Sequence, residues 1–192
     1  VVKPAGEVWV SYAGNISALY DLETLVEAVA IAAKAHPELK LKILGDGPER
    51  GSVEAAVMRT GAPAELLGYM PYRTMAAWLK ASDMVVNSLG ANAPQSVPTK
   101  IGDYLASGRP MVNTSMNAEF REKVEREGFG VNVVPGDAEG LAKVICELVE
   151  DEAGRARMGH VARELAVAQF DRPHSYEATV DLIRSLIAER SK

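Results

Sequence analysis

The 192-residue sequence predicts an α/β fold, a doubly wound parallel six-stranded sheet with extra helices at its C-terminal end. Three observations predict it. Short apolar runs alternate with longer amphipathic runs, the pattern of repeated strand–helix units. The short runs are apolar at nearly every position, so both sheet faces must be covered, as in parallel sheets. Glycine turns close several of the short runs, where such a sheet turns its chain outward.

The first strand reads from Glu7 to Ala13, rich in β-branched and aromatic residues, and Gly14 closes it. After a loop through Leu19, Asp21 is placed to cap a helix carrying Leu22, Leu25, Val26, Val29, Ala30 and Ala33 as its apolar stripe. His36-Pro37 ends that helix, and Leu39–Leu44 is the second strand, followed by the turn Gly45-Asp46-Gly47-Pro48. A helix spans about Ser52 to Thr60, with Val53, Ala56 and Val57 inward. Glu65–Leu67 is a short strand ending at Gly68, and Pro71 opens a helix through Ala81 with Met75, Trp78 and Leu79 inward. Met84–Asn87 is the fourth strand, followed by a loop over Ser88–Pro98. Thr99 is expected to cap the next helix, with Lys100 in its first turn and Ile101, Leu105 and Ala106 on one side. Gly108 stops it, Pro110 prevents a restart, and Met111–Asn113 is the fifth strand. A helix over Ala118–Arg126, a strand over Val131–Val134 and a helix over Ala138–Glu150 complete the alternation. Ala153–Gln169 and Ser175–Arg190 are two helices with no strand between them, so residues 1–170 form the sheet domain and 171–192 a helix packed across it.

Composition narrows the classes. With 47% hydrophobic and 24% charged residues the chain can build a core, which excludes a disordered protein. A net charge of −5 without any block of like charges argues against a nucleic-acid surface or a polybasic membrane surface. The one cysteine, Cys146, rules out an internal disulfide and is expected in the core. The chain shows neither a membrane-spanning run nor a signal peptide, and its opening at Val1 without an initiator Met suggests a piece of a longer chain.

In such a sheet, ligands bind beyond the carboxyl ends of the strands, here Gly14, Gly45-Asp46-Gly47, Gly68-Tyr69, the loop 88–98 and Thr114. Glycines there let a ligand approach the backbone, and a helix start carrying Lys100 suits an anion. A cation in a first turn opposes the helix dipole unless an anion compensates it. No Gly-x-Gly-x-x-Gly follows the first strand, which counts against NAD or FAD, and no Gly-Lys-Ser/Thr phosphate loop is present. There is no Asp-x-Asp pair to hold a metal on a diphosphate, and no nucleophile elbow. His36, His160 and His174 fall on helix flanks or turns and read as surface residues.

Taken in order, several segments resemble a known family. They are Tyr12-Ala-Gly-Asn15, Leu22-Glu-Thr-Leu-Val-Glu-Ala28, Leu44-Gly-Asp-Gly-Pro48, Leu67-Gly-Tyr-Met-Pro71, Ala81-Ser-Asp-Met-Val85, the run from Val97 to Pro110, Val134-Pro-Gly-Asp137 and Arg157-Met-Gly159. Together they resemble the C-terminal, nucleotide-sugar-binding domain of the GT-B glycosyltransferases of family 4, the group 1 glycosyltransferases. The fold is then the Rossmann-like half of a GT-B architecture. The resemblance implies that Gly14 lies under the donor diphosphate and that Gly68 and Tyr69 present backbone groups to the base. Thr99 and Lys100, with amides near Val97 and Pro98, would face the phosphates or the transferred sugar. Asn15 and Gly45 belong to the same donor-binding turns. Asp103 stands where the family commonly has a glutamate on the ribose hydroxyls. Two departures stand out. The partner glutamate is Gln95 here, and the cations that usually follow the first strand are missing from Asn15 to Tyr20.

The implied function is donor binding in a retaining glycosyltransferase that moves a sugar, expected to be UDP-linked, to a glycan or lipid. Lys100 would be the catalytic cation on the leaving diphosphate, and neither a cofactor nor a metal is expected. The acceptor site would lie on an N-terminal domain toward which helix 175–190 returns, with Val180, Leu182, Ile183, Leu186 and Ile187 partly exposed. The reading places the protein in the cytoplasm, with peripheral association at the inner face of the membrane left open. The alternatives are a nucleotide-sugar 2-epimerase of the same architecture, which needs no acceptor, and a non-catalytic interaction module.

Overall fold

The computed structural model describes residues 1–93 and 98–190. Six strands form one sheet, β1 (Val8–Ala13), β2 (Leu39–Leu44), β3 (Ala64–Gly68), β4 (Met84–Asn87), β5 (Met111–Asn113) and β6 (Gly130–Asn132), in the spatial order β3-β2-β1-β4-β5-β6. Every pairing is parallel. The chain order reverses between β1 and β4, and a doubly wound sheet opens its ligand crevice at that switch.

Among the described residues eight helices accompany the sheet, α1 (Leu22–Ala32), α2 (Arg50–Thr60), α3 (Tyr72–Ala81), α4 (Ile101–Ala106), α5 (Ala118–Glu127), α6 (Ala138–Glu150), α7 (Glu152–Phe170) and α8 (Arg172–Arg190). Alternate strand residues point to opposite faces. Val10, Tyr12, Leu41, Ile43, Met84, Val86 and Val112 pack with α1, α2 and α6. Ala13, Leu44, Val85 and Met111 pack with α3, α4, α5 and α7 on the other face. The strands read as nearly all apolar because both faces of the sheet are covered by these cores.

The elements fall where the sequence places them, and the differences are local. On α1 the buried set is Leu22, Leu25, Val26, Ala28, Val29 and Ala32, so the small stripe residues are Ala28 and Ala32, while Ala30 and Ala33 sit at its edge. Asp21 caps α1 by accepting from the Thr24 N–H. Val134 falls outside β6 and is exposed. Met75 and Trp78 are half-buried, Trp78 because it stacks on Trp9 at 5.0 Å at the rim of the sheet. Cys146 is half-buried against the core rather than inside it, and burial pushes its thiol up. On α4, Ile101, Tyr104 and Leu105 are buried but Ala106 faces out.

The carboxyl ends of β4, β5 and β6 are tied by an asparagine ladder. Asn87 Nδ2 donates to Asn113 Oδ1 at 2.9 Å, and Asn113 Nδ2 donates to Asn132 Oδ1 at 2.8 Å. Asn132 Nδ2 then donates to the Arg121 carbonyl and to Glu125. Asn87 and Asn113 each give an N–H to the next strand and Asn132 gives its own to α5, which ties this sheet edge to the helix.

Candidate functional site

Three glycine turns meet at the carboxyl ends of β1, β2 and β3. The Gly14 N–H donates to the Leu44 carbonyl at 2.9 Å, and the Gly45 N–H donates to the Gly68 carbonyl at 2.8 Å. Gly45 has φ +130°, and a Cβ there would stand 1.9 Å from the Gly14 oxygen, so only glycine permits the contact. The end of β1 is pinned from the opposite face. Tyr104 Oη accepts the Ala13 N–H at 2.9 Å and donates to the Ala13 carbonyl at 3.1 Å. Tyr12 Oη donates to the Asn15 carbonyl at 2.7 Å, which holds the turn that follows. Burial pushes both phenols up, so neither carries charge.

Lys100 reaches this edge from α4. Lys100 as a whole is half-buried while its amine is enclosed, the reverse of the usual arrangement in which the charged head seeks water. Nζ lies 4.0 Å from the Tyr12 ring centre and 3.7 Å from that of Tyr20. It has no hydrogen-bond partner among the described residues. A Cβ on Gly14 would stand 2.6 Å from it, so the amine rests directly on that turn. Loss of water around the ammonium lowers its pKa to about 7.

Three adjoining hollows run along the edge. A 340 Å³ cavity is lined by Gly14, Asn15, Gly45, Tyr69 and the apolar Met70 and Met75. It shares Gly14 and Met75 with a 180 Å³ cavity that holds Thr99, Lys100 and Asp103. That cavity in turn shares Thr99 and Asp103 with a 900 Å³ hollow walled by Tyr72, Arg163 and Phe170. Asp103 accepts a hydrogen bond from Tyr72 Oη at 2.8 Å, and Tyr69 is 85% exposed.

The structure thus brings Gly14, Asn15, Gly45, Gly68, Tyr69, Thr99, Lys100 and Asp103 to one sheet edge. Pro98 adjoins them, its carbonyl accepting the Ile101 N–H at 3.1 Å. Gln95 and Val97 lie outside the described residues, as does the side chain of His174. The expected cap is corrected. Lys100, not Thr99, occupies the position before the first helical residue, and its side chain makes no capping hydrogen bond. With six residues α4 offers little aligned dipole, so the amine rather than the helix end supplies the positive charge. His36 bonds Glu38 and lies 3.4 Å from Glu150, and His160 pairs with Glu164 one turn on, both away from the hollows. Among the described residues no group of three or more His, Cys, Asp or Glu is placed to hold a metal ion.

Sequence reasoning passed over Tyr20 and Tyr72. The stretch from Asn15 to Tyr20 was notable only for lacking cations, and that lack was the available signal. A phosphate-type edge with no cation of its own asks for one from elsewhere, and aromatic residues mark where it is received.

A parallel sheet in this order, with glycine turns at its switch point, defines a Rossmann-like half domain of the GT-B type. A family profile described as glycosyl transferases group 1 matches residues 7–151, and the chain belongs to that family. The lipopolysaccharide core biosynthesis glycosyltransferase LpsE of Rhizobium meliloti is 31% identical over 163 residues, covering 84% of this chain and 45% of LpsE. The chain therefore spans less than half the length of that relative. Among solved structures, Anabaena Alr3699/HepE in complex with UDP superposes with a TM-score of 0.81 at 22% identity, over 94% of this chain and 50% of HepE. Sucrose-phosphate synthase of Thermosynechococcus elongatus superposes with a TM-score of 0.81 at 25% identity, over 97% of this chain and 47% of the synthase. Among the described residues no helix is long and apolar enough to cross a membrane.

Proposed function

We propose that this domain binds the donor of a retaining glycosyltransferase, a nucleoside-diphosphate sugar carrying UDP, and that the full protein transfers the sugar to a glycan or lipid acceptor. The observation that carries the reading is the buried Lys100 amine, resting on Gly14 with no hydrogen-bond partner among the described residues. A buried ammonium without an acceptor is costly, and an arriving diphosphate supplies the oxygens it lacks. The base occupies the cavity beside Tyr69 and Met70, the diphosphate lies over Gly14 against Lys100, and Asp103 accepts from the ribose hydroxyls. HepE, solved with UDP and with UDP-glucose, has the same fold and supports the choice of nucleotide.

In this reading Lys100 acts catalytically as well. As the bond from sugar to phosphate breaks, negative charge grows on the leaving diphosphate, and an ammonium fixed in a dry site stabilises it more than it stabilises the bound donor. The acceptor and the rest of the machinery sit on an N-terminal domain. Tyr176, Val180, Ile183 and Ile187 recur every three or four residues along α8 and are all exposed, an apolar stripe suited to pack against that domain. Titration calorimetry with UDP, GDP and ADP tests the proposal. UDP should bind this domain weakly, and Lys100→Ala should weaken UDP far more than uridine. Silence from all three nucleotides at millimolar protein would sink the donor-binding claim.

A further inference from the structure

We propose that Tyr20, together with Tyr12, is a positioning residue for the donor phosphates, the two rings forming a cage that holds the Lys100 ammonium over Gly14 while leaving its N–H groups unused. The inference rests on the reading that Lys100 meets the diphosphate. Its carrier is how the amine is held. Lys100 starts from α4 on one face of the sheet, and Tyr12 packs into the core on the other, so the side chain crosses the edge at the β1–β4 switch. A flexible four-carbon stem would not hold that crossing by itself. Two ring faces at 4.0 and 3.7 Å do. The rings meet edge to face with centres 5.6 Å apart, so they form two walls rather than one.

The choice of rings over a carboxylate has a consequence for binding. A cation over a ring face is attracted by the ring quadrupole and donates no hydrogen bond to it. All three ammonium hydrogens stay available to phosphate oxygens. An Asp or Glu would hold the amine more tightly, but it would take those hydrogens and repel the incoming dianion. Among the described residues no carboxylate lies within 4.0 Å of Nζ, and the nearest one along its own helix, Asp103, is engaged by Tyr72 instead. The groups facing the amine are Tyr12 and Tyr20, with Tyr104 behind them, and burial keeps all three phenols protonated. The loop after β1, which lacks cations of its own, thus contributes a receptor for a cation brought by α4.

The test compares Tyr20→Phe with Tyr20→Leu in this chain. Calorimetry measures UDP and uridine, and NMR follows the Lys100 methylene signals, which ring currents displace when the amine sits over an aromatic face. Tyr20→Phe should bind UDP within twofold of the parent and keep the displaced signals. Tyr20→Leu should bind UDP about tenfold more weakly, leave uridine within twofold and move the Lys100 signals toward free lysine. Unchanged uridine binding shows that the site is still folded. A Tyr20→Leu variant with parental UDP affinity overturns the cage, as does a Tyr20→Phe variant as weak as Leu. If Lys100→Ala costs UDP nothing while the parent's Lys100 signals remain displaced, the phosphate reading itself has failed and takes the cage's role in binding with it.

Discussion

Replacing Lys100 by Met separates two demands that fall on one side chain. Met keeps the unbranched apolar stem and removes the charge. The structure encloses the amine without a partner among the described residues, and loss of hydration lowers its pKa from 10.5 to about 7. Each tenfold loss of proton affinity corresponds to about 1.4 kcal/mol, so the full depression sets a ceiling of about 5 kcal/mol. Lys100 as a whole is only half-buried, and discounting for solvent screening brings the expected cost of the charged form to about 1–3 kcal/mol. The sign follows from proton binding. Below pH 7 the amine is charged in the folded and the unfolded chain, and the folded state carries the whole penalty. Between pH 7 and 10.5 the unfolded chain holds the proton while the folded one releases it, so the parent gains stability as pH rises. Above 10.5 both states are neutral and the penalty is gone. Lys100→Met should therefore melt about 2–12 °C above the parent at pH 6, using about 2–4 °C per kcal/mol for a chain of this size. The gain should shrink steadily toward pH 10. Thermal unfolding followed by circular dichroism at pH 6, 8 and 10 reads it, and UDP calorimetry on the same samples should show lost binding. A variant less stable than the parent at pH 6, or a gain that ignores pH, would refute the claim that this ammonium is buried without a partner.

Three further outcomes are expected. Above pH 7, where the terminal phosphate of UDP is already mostly ionised, UDP affinity should fall as the pH rises and the free amine loses its proton; calorimetry should find the fall reduced to nothing in Lys100→Ala. Asp103→Asn should weaken UDP about tenfold and 2′,3′-dideoxyuridine diphosphate hardly at all, because a hydrogen bond to a charged acceptor is worth about 1.5–3 kcal/mol and the analogue offers no ribose diol; equal losses for both ligands would remove Asp103 from the ribose. Asn113→Leu should cost at least about 3 kcal/mol by urea unfolding, since it strands Asn87 Nδ2, Asn132 Oδ1 and the Ser115 N–H, each at about 1–3 kcal/mol. A loss under 1 kcal/mol would mean that water replaces the ladder.

What the sequence made legible depended on whether the cause was local. Strand runs such as Leu39–Leu44, the Asp21 cap and the Gly108 stop follow from propensity and spacing, and they stand where those rules put them. The convergence of Gly14, Gly45 and Gly68 was legible because the alternation fixed a parallel sheet and a parallel sheet fixes which strand ends share an edge. The Thr99 cap failed because the helix starts one residue later, and its first turn is shaped by burial of Ile101 and Tyr104 rather than by a cap. The tyrosine cage was illegible for a different reason. Tyr12 and Tyr20 are separated from Lys100 by eighty residues or more and lie across the sheet from its helix, and no periodicity reports on contacts of that kind.

The crossing itself explains why the charge comes from α4. At the β1–β4 switch the crevice opens between helices that leave on opposite faces, so a cation rooted on either side can reach the same point above Gly14. A cation on the loop after β1 would stand beside Asp21 and Glu23, which head α1. Rooted on α4, the amine arrives over the edge, away from those carboxylates and onto two neutral rings. For a chain of net charge −5 meeting a multiply charged anion, one ammonium with all its donors free is a stronger local attraction than several surface cations already paired with neighbouring acids. That arrangement requires the tyrosines to stay uncharged, and burial holds both phenols protonated.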